Sequence, residues 1–303
     1  MSDTSSPLTS QAEGSRSAPA PKLNRNVMGD RIAARILDSA PTLKRQWADA
    51  SPIHYFMLDD LLPPEWAGAI RTAFPSPHAM TLKRSLREFK YVAAQMNAYD
   101  PLLEESVYAF QSPAVIDAIE NVTGMSALEP DKLLYAGGVS LMRPGHYLNP
   151  HIDNSHDRLR RRYRVLNLLY YVSPHWSLEN GGNLELWQEG LSGPATTIVS
   201  KFNRLVVMLT HRHSWHSVSN NSSDADRCCV SNYFFSPNPI DGTHYYHVTE
   251  FRGRPEQPIR DRLLRADNWL RTVIRTTLPK AFENRHFYSA MPTGDDRRSP
   301  PTE

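Results

Sequence analysis

Four groups of side chains carry the chemical interest of this chain. The stretch "YLNPHIDNSHD", residues 147–157, holds His151, Asp153, His156 and Asp157 within a few positions. About sixty residues on, "THRHSWHSV" supplies His211, His213 and His216. Arg227 opens the run "RCCVSNYFFS", and "NSHDRLRRRYR" crowds Arg158, Arg160, Arg161, Arg162 and Arg164 into one short segment. His151 and Asp153 are two apart. In extended backbone such residues point to the same side and can reach one ion. Pro150 disfavours helix immediately before them. A single downstream histidine would complete two imidazoles and one carboxylate. That set holds one face of an octahedron, leaves the other positions open, and suits non-haem Fe(II). A structural zinc site would be closed and usually contain cysteine.

The elements that must position these residues change character along the chain. The first half reads as mostly helical. In "LPPEWAGAIRTAF", 62–74, proline stands at a permitted first-turn position, and Trp66, Ala69, Ile70 and Phe74 recur at helical spacing. "SPAVIDAIENVTG", 112–124, opens with Ser112 as cap and Pro113 behind it, and ends on Gly124. From about 135 to 236 the pattern becomes short β-branched or aromatic runs punctuated by Gly, Pro, Asn and Ser, the signature of a β-sandwich or barrel. Beyond it, "QPIRDRLLRADNWLRTVIRTTL", 257–278, has Ile259, Leu263, Leu264, Leu270, Val273 and Ile274 at helical spacing, which predicts a helix packed on the sheet by its apolar face. Residues 1–25 and 291–303 read as disordered tails. The Pro- and Asn-containing 235–244 is the best internal boundary.

With 303 residues, 40% hydrophobic, the chain is long enough for one well-buried core. A net charge of +2 gives no global field towards nucleic acid or an anionic membrane. Cys228 and Cys229 are the only cysteines and are adjacent, so no disulfide framework is expected and a reducing, cytoplasmic setting is the default. The N-terminus has no apolar segment of a signal peptide, and no run approaches a membrane span.

Taken together, "HID" at 151–153, "RYRVLNLLYYVS", "NGGNLELW", "NRLVVMLTHRHSWHSV" and "RCCVSNYF" resemble the Fe(II)- and 2-oxoglutarate-dependent oxygenases, specifically the prolyl-4-hydroxylase-like branch. The resemblance spans about 135–236. It implies a mainly β protein with flanking helices (α+β): a double-stranded β-helix (jelly-roll, cupin-like) core at 131–237, helical support at 26–130, and a helical extension at 238–290, all one oxygenase domain. It implies His151, Asp153 and His216 as catalytic iron ligands, in preference to His211 and His213. It implies Arg227, eleven residues after His216, as the partner of the distal carboxylate of 2-oxoglutarate, a match that a guanidinium fork makes bidentately. Many relatives carry Ser two residues after this Arg. Here Cys229 takes that position and Ser231 follows, so Ser231, Asn167 and Tyr135 stand as further cosubstrate contacts.

The implied reaction consumes 2-oxoglutarate and O2, yields succinate and CO2, and hydroxylates a C–H bond. The retained Asp153 argues against halogenation. Asn154, Asn183, Trp187 and Arg162 are candidate substrate contacts, while most of the arginines at 158–164 face solvent and one or two face the cleft. A small-molecule substrate, an amino-acid or natural-product intermediate, is expected, with no nucleic-acid or membrane partner. A peptidyl, prolyl-type hydroxylase and a non-catalytic metal-binding cupin-like module are the alternatives.

Overall fold

A computed structural model describes residues 23–277. The expected tails, 1–22 and 278–303, lie outside the described residues, as does the side chain of Ile274. Six α-helices are present among the described residues: α1 (Arg25–Asp38), α2 (Ala40–Asp49), α3 (Pro64–Thr72), α4 (Pro101–Ala109), α5 (Pro113–Thr123) and α6 (Pro258–Thr277). The strands are β1 (Tyr55–Leu58), β2 (Thr81–Arg84), β3 (Glu88–Ala93), β4 (Glu129–Pro130), β5 (Gly138–Met142), β6 (Tyr147–Ile152), β7 (Tyr163–Tyr171), β8 (Leu184–Leu186), β9 (Thr196–Ile198), β10 (Arg204–Leu209), β11 (His216–Val218), β12 (Arg227–Ser236) and β13 (Glu250–Phe251).

All thirteen strands join one antiparallel, jelly-roll sheet. Its main path runs β1-β10-β7-β12-β5-β3-β6-β11-β8-β9. The central strands read as almost unbroken apolar runs because both their faces are covered. Leu166, Leu168 and Tyr170 of β7, with Cys228, Val230 and Phe234 of β12, turn outward into the large core shared with α1, α2, α4 and α5. Tyr171, Cys229, Val206 and Met208 turn inward to a second cluster with Leu184, Leu186 and Ile198. A period of two thus sends alternate residues to the helices and to the barrel interior.

The first half is mostly helical, as its sequence suggests, and it also lends strands to the sheet. β1 pairs with β10, and β3 pairs with both β5 and β6. "EFKYVA" and "YFML" are too short to show period-two patterning above the flanking helices, and only their distant partners define them. Gly138 permits one of these junctions. Its φ is 118°, and a Cβ there would lie 2.3 Å from the Ala93 carbonyl oxygen. The stretch 235–244 leaves β12 and leads to β13, which returns to β6.

The α5 signals act as read: Ser112 Oγ accepts from Val115 N, and Gly124 ends the helix with φ 72°. The α6 expectation is corrected. Among its described large apolar side chains Leu264 alone is fully buried, whereas Ile259, Leu263, Leu270 and Val273 are exposed. The face turned to the sheet is polar instead. Asn268 is buried, and Arg87 binds Asp267 with its Nε 2.8 Å from Oδ2. Helical spacing identifies a stripe, but it does not say which side meets the protein. Here specific ion pairs outweigh apolar burial. No helix among the described residues is long and apolar enough to cross a membrane.

Candidate metal centre and cosubstrate pocket

His151 stands near the end of β6, directly opposite His216 at the start of β11. Asp153 lies two residues beyond His151, just past the strand. The antiparallel register therefore brings side chains 63 or more positions apart to one point, their ring centroids 4.1 Å apart. His151 Nε2 lies 3.7 Å from Asp153 Oδ1, and His216 Nε2 lies 3.5 Å from Oδ2. All three ligand atoms fall within 4.8 Å of one another. Both histidines are 5% exposed, so the cluster sits inside the barrel.

Each imidazole is held by its other nitrogen. His151 Nδ1 meets the Asn149 carbonyl at 3.0 Å, and His216 Nδ1 meets the Ser214 carbonyl at 2.9 Å. A carbonyl only accepts, so Nδ1 carries the proton and Nε2 presents its lone pair to the cluster. Burial pushes both imidazoles below their ordinary value, well below for His151, to which the nearby His216 adds. Both are neutral at physiological pH, as ligands must be. Phe251 stacks on His151 at 5.2 Å, and both its backbone groups are bound by Asn268 of α6.

Asp153 is held just as firmly. Its Oδ2 accepts from Asn167 Nδ2 at 2.7 Å and lies 3.0 Å from Arg164 Nη2. Burial opposes its ionisation, but Arg164, the two imidazoles and Asn167 outweigh that and hold the carboxyl far below the usual range. Arg164 is itself fixed by Asn167 Oδ1 at 3.1 Å, Asn154 Oδ1 at 3.2 Å, and the Tyr233 ring at 3.7 Å. Among the described residues no donor lies within hydrogen-bond distance of Oδ1. One carboxylate oxygen and two imidazole nitrogens are thus left pointing at a common centre, and the donor set fits a divalent transition metal.

Arg227, Cys229, Ser231 and Tyr233 alternate onto the inner face of β12. Arg227 is 3% exposed. Its partners are Ser200 Oγ at 3.3 Å, Met142 Sδ at 3.7 Å and the Tyr171 ring at 4.7 Å. Among the described residues no carboxylate lies within ion-pair distance of it. Buried cations are ordinarily paired, so this guanidinium is an open demand for an anion. The Tyr171 hydroxyl beside it is buried without a regular hydrogen bond. Gly182, with φ 59°, packs beside Arg227, and a Cβ there would meet the Trp176 ring at 3.2 Å.

Residues 137–235 match the family model described as the 2OG-Fe(II) oxygenase superfamily. The chain carries a 2OG-Fe(II) oxygenase domain. The match runs from the cavity glycines through the iron-type triad to the end of β12. A prolyl 4-hydroxylase from Phytophthora capsici is similar in structure, with a TM-score of 0.49 and 18% identity over 87% of this chain and 83% of that one. A prolyl-4-hydroxylase from Pseudomonas putida gives a TM-score of 0.47 and 17% identity, covering 64% of this chain and 98% of that one. HygX from Streptomyces hygroscopicus, solved with nickel, 2-oxoglutarate and hygromycin B bound, gives a TM-score of 0.46 and 11% identity, covering 67% and 95%. No curated protein matches the chain.

The other residues read from the sequence of this oxygenase domain divide. Tyr135, Asn154 and Ser231 line a cavity of about 540 Å³ that also exposes His151 and Asp153. Asn167 is turned to Asp153 and Arg164, so its expected cosubstrate contact is replaced by a hold on the carboxylate ligand. Asn183 and Trp187 do not line that cavity. Asn183 is buried and fixes the Ser200 backbone at 3.0 Å, and Trp187 Nε1 binds Ser217 Oγ at 2.9 Å. Arg162 is drawn outward to Glu129 at 2.8 Å. Its neighbour two places on, Arg164, is the arginine of that segment that turns inward. His213 is exposed, and His211 reaches the Pro52 carbonyl. His156 is buried against Tyr163 rather than the triad.

Sequence reasoning missed Ser200, Tyr171, Lys90 and Phe251. Tyr171 carried a usable signal, since it shares strand parity with Asn167. The other three come from segments whose proximity only the fold creates.

Proposed function

We propose that this protein is an active Fe(II)- and 2-oxoglutarate-dependent hydroxylase of a small molecule, in the prolyl-4-hydroxylase-like branch. One observation carries the reading. The buried His–Asp–His cluster, its imidazoles neutral and its carboxylate ionised, shares the barrel interior with a buried guanidinium that lacks a carboxylate. His151, Asp153 and His216 would hold Fe(II), and Arg227 would bind the distal carboxylate of 2-oxoglutarate as a charge-assisted fork. With 2-oxoglutarate and O2, a metal held there would supply the oxidation of a substrate C–H bond to an alcohol, with succinate and CO2 as co-products.

This chain's own residues do the rest. Arg164 and Asn167 occupy Asp153 Oδ2, keeping the carboxylate ionised and directing Oδ1 to the metal. The carbonyls of Asn149 and Ser214 fix both imidazole tautomers. Ser200 and the Tyr171 ring steer Arg227. Phe251 and Val92 supply apolar wall to the reaction chamber. A chamber of about 540 Å³ is of the size that small-molecule sites have, which supports that substrate class over a peptide.

The test is spectroscopic and catalytic. Fe(II) and 2-oxoglutarate under argon should develop the weak visible band of the chelate, and His151→Ala and Asp153→Ala should abolish it. A band that survives both substitutions would remove the triad assignment. Succinate release should then be stimulated by members of an amino-acid and natural-product panel; stimulation by peptides alone would replace the small-molecule reading with a peptidyl hydroxylase.

A further inference from the structure

The hairpin of β2 and β3 forms one wall of the chamber, and its charges are arranged unusually. Lys83 and Lys90 are direct cross-strand partners, and both line the cavity. Residues so placed have Cβ atoms about 5 Å apart, and like charges directly opposed destabilise a sheet. Glu88, two residues before Lys90 on the same face, takes up part of this charge, with Lys90 Nζ 3.1 Å from its Oε2. Among the described residues no carboxylate lies within ion-pair distance of Lys83. The other cations nearby are already matched, Arg87 with Asp267 and Arg164 with Asp153. Five lysines and arginines line the cavity with two carboxylates, and Asp267 behind them pairs with both Arg87 and Arg271. His151 and Asp153 line the same cavity as Lys83 and Lys90, so this wall and the metal cluster face one space.

We propose that Lys83 and Lys90 form the substrate's anion subsite, and that the substrate is a small carboxylate. Glu88 neutralises one of the two ammonium charges and leaves one to be matched. A monoanion fits that balance better than a phosphate dianion. The carboxylate seated between the lysines would leave the remainder of the molecule extending along Val92 towards Asp153, where the C–H bond is oxidised. This rests on the reading of the cavity as the substrate chamber of an oxygenase.

The experiment uses the full chain with Fe(II) and 2-oxoglutarate under argon. Calorimetry measures the binding of benzoate, 4-hydroxyphenylacetate, N-acetyl-L-leucine and N-acetyl-L-proline, each against its methyl ester. At least one acid should bind about tenfold or more tighter than its ester, the factor expected of one charge-assisted bond. Lys83→Gln and Lys90→Gln should each erase that preference by weakening the acid and not the ester. Glu88→Gln should tighten acid binding, the opposite direction, which a merely damaged fold would not produce. Equal binding of acid and ester, no binding by any of the acids, or a preference that persists in both lysine variants would overturn the proposal. So would loss of 2-oxoglutarate affinity in the lysine variants with retention in Arg227→Met, because the lysines would then hold the cosubstrate. The chelate band of the wild-type protein separates the two readings. No band with the acid preference intact removes the oxygenase and leaves the subsite; a band without the preference removes the subsite alone.

Discussion

Replacing Arg227 by methionine should separate function from stability in an uncommon direction. The guanidinium is 3% exposed and, among the described residues, has a hydroxyl, a thioether and an aromatic face for company. Two charge-assisted bonds to the cosubstrate carboxylate, at about 1.5–3 kcal/mol each, would be lost. Their sum, about 3–6 kcal/mol, corresponds to a 2-oxoglutarate affinity roughly 10²–10⁴-fold weaker. The ligand-free protein should behave differently. It loses a cation–π contact of about 2 kcal/mol at most, and it is relieved of an uncompensated buried charge that costs several kcal/mol. Methionine keeps most of the packing volume. Stability without ligand should therefore hold within about 2 kcal/mol or rise. Titration of 2-oxoglutarate against the anaerobic chelate band gives the first quantity, and urea unfolding of the metal-free protein gives the second. An affinity change below about fivefold would refute the pocket assignment. A ligand-free protein destabilised by more than about 3 kcal/mol would show the Ser200, Met142 and Tyr171 contacts to be the reason for the arginine.

Three further outcomes are expected. Asn167→Ala removes the 2.7 Å donor to Asp153 Oδ2 and should weaken Fe(II) binding about 10–100-fold, measured by competition with a chelator; unchanged affinity would show Arg164 alone to be sufficient. Because burial depresses the imidazoles of His151 and His216, the unfolded chain binds protons below about pH 6.5 before the folded one does, so metal-free stability should fall as pH drops from there. Asp153, also depressed, adds to the loss only below about pH 4, and urea midpoints in His151→Asn should show a shallower slope between pH 6.5 and 5. His213→Ala and Arg162→Ala, both on outward-facing positions, should leave the chelate band unchanged, and loss of the band in either would move a ligand or a chamber wall.

Local rules made parts of this protein readable before any folding. His-x-Asp in extended backbone followed from strand periodicity and ligand chemistry, whereas the family resemblance singled out His216 among the downstream histidines and Arg227 at the head of the next strand. Ser112 and Gly124 marked the ends of α5 because capping is a local requirement. The β core was legible because alternate positions are filled by large apolar residues on both faces. The same periodicity could not say which way α6 would turn. Its apolar stripe faces outward because Asp261, Asp267 and Asn268 find partners on the body of the protein.

What only the tertiary structure decided is who meets whom across long separations. Asn167 and Arg164 were legible as a buried asparagine and one of many arginines, but the antiparallel return of the chain turned both onto the same carboxylate oxygen. Asn183 and Trp187 stood as candidate substrate contacts and instead brace Ser200 and Ser217. Lys83 and Lys90 were invisible as a pair until β2 and β3 placed them opposite each other above the cavity. Residue type sets which interactions a side chain can make. Strand register sets which of them it does make, and register depends on the whole sheet.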